Sequence, residues 1–153
     1  MSQDDGFEDD FGDDGEPAFD PDPDMLARAE QAIASHSVEF RKTVRARIAE
    51  MSRLTGALAA PAGADVETGA WNALFRQGHE LAGQGATFGY PLLSDIGRSL
   101  CGFIDARAGD TAGGDIAILR AHIAAVAQAI GENPPGPAER QAILASLQAP
   151  RRR

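Results

Sequence analysis

The sequence holds a single cysteine, Cys101, so no internal disulfide framework can be built and a reducing, cytoplasmic setting is expected. Long apolar runs are missing as well. The most apolar stretch, IAAVAQAI at residues 123–130, is short and broken by Gln128, far below the roughly 20 residues that cross a bilayer. No membrane span is expected, and MSQDDGFEDD lacks the basic and apolar regions of a secretory signal. Basic clusters are confined to Arg151, Arg152 and Arg153, which makes nucleic acid an unexpected partner. No strand pattern or internal repeat is evident, and no Walker A loop or kinase signature appears, so the chain has no ATP site of its own.

What is present fits one domain: 153 residues with 43% hydrophobic content can bury a core but not two of ordinary size. The net charge of -9 is unevenly placed, because residues 1–24 carry eleven of the 23 acids and no Lys or Arg. Residues 1–22 therefore read as a disordered acidic tail, too poor in aliphatics to offset the entropy of ordering. Phe7, Phe11 and Phe19 interrupt its acids; a solvating tail is the plainer reading, a docking segment the other.

Residues 23–131 read as a helical bundle. Asp22 before Pro23 has the form of an N-cap with proline at the first helical position. Leu26, Ala29, Ile33, Ser37, Phe40, Val44, Ile48, Met51, Thr55 and Leu58 then recur at three- and four-residue steps. A helix of about 35 residues would be about 50 Å long, so it either overhangs the bundle or breaks near Ser35-His36-Ser37. Asp65 is the expected cap of a second helix running to about Phe88 and closed by Gly89. A third, about 91–107, carries Leu93, Ile96, Leu100, Phe103 and Ile104 on one stripe, and Ile116, Leu119, Ile123, Val126 and Ile130 mark a fourth that stops at Gly131. Residues 132–153 supply a linker, a short helix at about 138–148 with Ile143, Leu144 and Leu147, and the basic end. The expected fold is all-α: an antiparallel four-helix bundle with a long first helix and a short extra C-terminal one.

The second helix contains GHELAGQGATFGY, residues 78–90, where four glycines surround His79. Each glycine costs a helix roughly 1 kcal/mol against alanine, so their positions need a reason. On a wheel of 100° per residue, Trp71, Leu74, Gly78, Leu81, Gly85 and Phe88 form the inward stripe. His79 lies about 140° to 180° from Leu74, Leu81 and Phe88 and points to solvent. Its face carries Asn72, Phe75, Arg76, Ala82, Gly83 and Ala86. Gly78 and Gly85 let helices approach, Gly89 ends the helix, and Gly83, at i+4 from His79, clears the space over the imidazole.

Sharper chemistries fail on spacing. HExxH would need a second histidine where Gly83 stands, GxGxxG is broken by Phe88, and His36, His79 and His122 fall on three helices without a carboxylate cluster, so no metal site is expected. His122, at the edge of a core stripe, and Cys101, flanking that of the third helix, read as structural. What remains is an exposed imidazole acting as a nucleophile toward an activated phosphoryl group, with charge stabilisation from a partner carrying Mg²⁺ and carboxylates.

His79-Glu80-Leu81-Ala82-Gly83, with Gln84-Gly85-Ala86-Thr87-Phe88-Gly89 after it, resembles the signature of histidine-containing phosphotransfer (HPt) domains, roughly H-x-L-K-G followed by small residues, an apolar residue and a glycine. Leu92, Leu93, Ile96 and Leu100 fit the helix that follows in that family. The resemblance implies that His79 is the phosphorylated residue of a two-component phosphorelay and that receiver domains dock over its helix and a neighbouring one. A histidine kinase is a further partner it implies. Asn72, Phe75, Ala82 and Ala86 are then docking positions, and the protein is a phosphoryl carrier rather than an enzyme, without a cofactor of its own, Mg²⁺ being expected on the receiver. Ala82 departs from the family lysine, and Arg76, about 60° from His79, is the candidate replacement. Two alternatives stay open: a module of the same fold that binds a receiver or kinase without being phosphorylated, and a helical scaffold forming a homodimer through its long first helix.

Overall fold

The computed structural model describes residues 18–107 and 109–148; most of the acidic tail and the three terminal arginines lie outside the described residues. Five helices follow in order: α1 Pro23–Ala59, α2 Ala64–Gln84, α3 Pro91–Ala106, α4 Gly113–Ala129 and α5 Pro137–Leu147. The described residues hold no strand. Helix α2 packs on α1 and α3, and α4 packs on the same two, so the first four helices form a square with α2 and α4 on a diagonal. This is the four-helix bundle expected from the periodicity, and α5 lies against α3 and α4 with Ile143, Leu144 and Leu147 half-buried.

Helix α1 starts as its sequence dictates. The Asp22 carboxylate accepts from the Asp24 N–H, and Pro23 occupies the first turn, where its missing N–H costs nothing. The helix runs unbroken through Ser35-His36-Ser37, and the expected overhang is what the structure has. From Phe40 onward its apolar stripe is buried: Phe40, Val44, Met51, Leu54, Thr55 and Leu58 enter the core. Leu26, Ala29 and Ile33 do not, contrary to the stripe read from their spacing. Ile33 is 70% exposed, because α2, with 21 residues against 37, is too short to cover it. The last side-chain anchor before the overhang is the hydrogen bond between the Ser37 and Tyr90 hydroxyls, 3.1 Å.

Two boundaries of α2 differ from expectation. Gly63, not Asp65, takes the cap position, and Asp65 and Glu67 fall in the first turn, where negative charge complements the helix dipole. The regular ladder ends at Gln84, and residues 85–89 form a turn. Gly89 has φ +85°; the Tyr90 N–H bonds the Gly85 carbonyl at 2.8 Å and the Gly89 N–H that of Ala86 at 3.1 Å, the two bonds of a Schellman closure. Phe88 therefore leaves the inward stripe to which a continued wheel assigned it. It is 39% exposed and stacks on Phe40 of α1, centroids 4.4 Å apart.

Helix α3 supplies the widest buried face: Leu92, Leu93, Ser94, Ile96, Gly97, Leu100 and Phe103. At the opposite end of the bundle from the α2–α3 turn, Trp71 donates to the Thr111 hydroxyl at 3.0 Å and lies under the Arg107 guanidinium, 3.8 Å from its ring centroid. Glu67 accepts from both the N–H and the hydroxyl of Thr111, and these hydrogen bonds hold its carboxyl below the usual carboxylate range. His122 is fully buried in α4. One ring nitrogen pairs with the Ser99 hydroxyl at 3.0 Å and the other with the Ile118 carbonyl at 2.8 Å, the structural role its sequence position suggested.

Candidate functional site

The seam between α2 and α3 determines where His79 stands. A Cβ on Gly78 would lie 3.0 Å from the Cys101 sulfur and 3.2 Å from the Gly97 carbonyl, and one on Gly85 only 2.7 Å from the Ser94 nitrogen. Both glycines face a neighbouring backbone, as their inward wheel positions require. The tightest point is Gly97 on α3, where a Cβ would overlap the Gly78 carbonyl oxygen and sit 2.6 Å from the Ala82 nitrogen. Gly97 has the same signal as Gly78, a glycine on the inward face of a helix. It went unread because its neighbours Ile96 and Leu100 already accounted for that stripe.

With Gly78 fixed against α3, the next residue turns outward, and His79 is exposed. Gly83, one turn on, is exposed too, and a Cβ built there meets nothing within 4 Å, so no side chain covers the imidazole from that turn. The ring of Phe75, one turn back, is half-buried and parallel to that of His79, with centroids 6.5 Å apart and planes 11° apart. Arg76, Asn72 and Ala86 are exposed, and Ala82 is half-buried. The seven residues named from the sequence thus lie along one side of α2 and the first residues of the turn after it, five of them exposed and Phe75 and Ala82 half-buried. Ser94 of α3, unread in the sequence and buried, holds the end of that surface from beneath by accepting the Ala86 N–H at 2.8 Å.

A carboxylate directly after His79 would oppose an incoming anion. Glu80 is turned toward α1, where it forms an ion pair with Arg47, whose guanidinium also donates to Gln77 at 2.9 Å. Arg47 is largely covered, so its charge is spent locally on α2 residues that face away from His79. This inter-helix arrangement has no sequence signal, since neither partner lies at a helical spacing from the other. Cys101 is half-buried rather than enclosed. Its thiol approaches the Phe75 carbonyl at 3.5 Å, and desolvation, with Asp105 adding to it, pushes its pKa up.

Among the described residues no group of three His, Cys, Asp or Glu side chains could hold a metal ion, and no helix is long and apolar enough to cross a membrane. An accessible imidazole with an unobstructed turn beside it, a neutralised neighbouring carboxylate and an exposed arginine can accept and release an anionic electrophile. In comparison with known families, the Hpt domain model matches residues 37–129, from Ser37 in α1 to the end of α4. No curated protein and no solved structure matches the chain.

Proposed function

The chain belongs to the Hpt domain family, phosphocarrier modules of two-component signalling, and on that premise we propose that His79 is the residue that carries the phosphoryl group. The observation that supports this most is the exposed imidazole beside the bare Gly83 turn. In transfer from a receiver, the lone pair of one ring nitrogen attacks phosphorus in line with the acyl phosphate. The N–P bond forms, the O–P bond breaks, and the electron pair leaves with the partner's aspartate carboxylate, while the proton stays on the other ring nitrogen until the product ring releases it. The receiver's Mg²⁺ and carboxylates supply the in-line placement. This chain supplies a nucleophile on a rigid helix, and no ATP enters the step.

Receiver domains, and a histidine kinase as donor, are the proposed partners, in the cytoplasm, with Asn72, Phe75, Ala82 and Ala86 as the surface they meet and Arg76 as a cation for the phosphoryl oxygens. The test mixes the protein with receivers charged by a small phosphodonor and reads acid-labile, base-stable phosphate on wild type and on His79→Gln. Label on wild type alone is expected. No label on wild type with any receiver of its organism overturns the carrier reading. Ala82, which puts no charge in the turn after His79, favours a second reading, a module that binds receivers without being phosphorylated; binding without label would establish it.

A further inference from the structure

We infer that Arg98 of α3 is a cation of the phosphoryl site, reaching the group on His79 from across the seam; the inference rests on the carrier reading. The register comes from the glycine contacts. Gly78 lies opposite Gly97, Leu100 and Cys101, and Gly85 opposite Leu93 and Ser94, so the two helices run antiparallel. Gly97 touches the backbone at Gly78 and at Ala82, which brackets His79, and places Arg98 at the height of His79 and Glu80.

The side on which Arg98 emerges is also determined. His79 is one residue past Gly78, and Arg98 is one residue past Gly97, each turned by 100° from a residue that faces the other helix. Two antiparallel right-handed helices viewed from one end rotate in opposite senses, so equal advances from facing positions carry both side chains to the same side of the seam. Both residues are indeed exposed. Helices packed through small residues come within about 8 Å of each other, a gap that an arginine side chain can cross. Gly97 packs against the backbone nitrogen and Cα of Ala82, so it is backbone against backbone that sets the approach there.

Arg98 is paired with Asp95 of its own helix at 2.6 Å, the arginine exposed and the aspartate half-exposed. Such exposed pairs are weak, and a phosphoryl dianion offers the guanidinium a stronger, bidentate partner. The other charged or titratable groups around the face are Arg76 and Glu80 on α2, Cys101 and Asp105 on α3, and Arg47 on α1, of which Glu80 and Arg47 neutralise each other.

The experiment phosphorylates the full chain on histidine with phosphoramidate and follows the ³¹P resonance of phospho-His79 with pH. A cation beside the phosphoryl group favours its dianion, so in Arg98→Ala the titration is expected to move up by roughly half a pH unit or more. Arg98→Lys should restore most of the shift, and Asp95→Asn, which frees the guanidinium, should move it down. Transfer to a receiver is expected to slow about tenfold in Arg98→Ala. A titration in Arg98→Ala coincident with wild type overturns the inference while leaving the carrier reading standing. Failure of wild type to take label at His79 overturns both.

Discussion

Two of the molecule's three histidines have a phenylalanine ring beside them, and they are put to opposite uses. His79 is parallel to Phe75 and His122 to Phe103, at 6.5 Å and 6.1 Å between centroids. His122 has both nitrogens bonded and no exposed surface, so its ring is a polar brick between α3 and α4. His79 stands in solvent beside an empty turn. An aromatic neighbour therefore says little about what a histidine does; access to the ring nitrogens separates the two.

The widest break of that comparison comes from exchanging the losses. His79→Gln should abolish phosphorylation and leave stability within about 0.5 kcal/mol, as expected of an exposed position. His122→Ala should cost about 2–4 kcal/mol in urea unfolding, through a cavity and two lost hydrogen bonds, and still take label at His79. Loss of label in a folded His122→Ala would mean that the buried ring matters to the chemistry. The glycines on either side of the seam should then separate by sign. Gly97→Ala is expected to destabilise by about 2–3 kcal/mol, because its Cβ would strike backbone that cannot move aside. Gly83→Ala should stabilise by about 0.5–1 kcal/mol, since nothing opposes its Cβ and alanine is the better helix former. Gly83→Arg should leave the fold intact and block transfer; normal transfer in that variant would remove the access argument. The smallest effect concerns the half-buried thiol in the seam. With burial raising its pKa, the Cys101 thiol forms less thiolate at pH 8 than an ordinary cysteine, so alkylation in the folded chain should be about tenfold slower than in urea and should speed up as pH rises.

How far the sequence was legible follows the range of the interactions. The helices are local: period, caps and stops sit within a few residues of one another, and the bundle was readable from them. The face of α2 around His79 was readable for the same reason, being one side of one helix. The fate of Leu26 and Ile33 was not, because α1 is equally helical with or without a partner and only the length of α2 decides what is covered. Phe88 was misassigned by carrying the wheel past the point where the ladder loosens. The Arg47–Glu80 pair and the approach of Gly97 to Ala82 join segments far apart in the chain, and no spacing within either segment announces them.

The overhanging start of α1 has a consequence for how this protein behaves in solution. Helix α1, 37 residues and about 55 Å long, extends its first turns beyond a bundle whose other helices are no longer than 21 residues. Frictional drag grows with the longest dimension, so a single 16.0 kDa chain should elute from a sizing column ahead of a sphere of its mass. An early peak would imitate a dimer, and the number of copies has to be read from light scattering or sedimentation equilibrium, which weigh the particle whatever its outline.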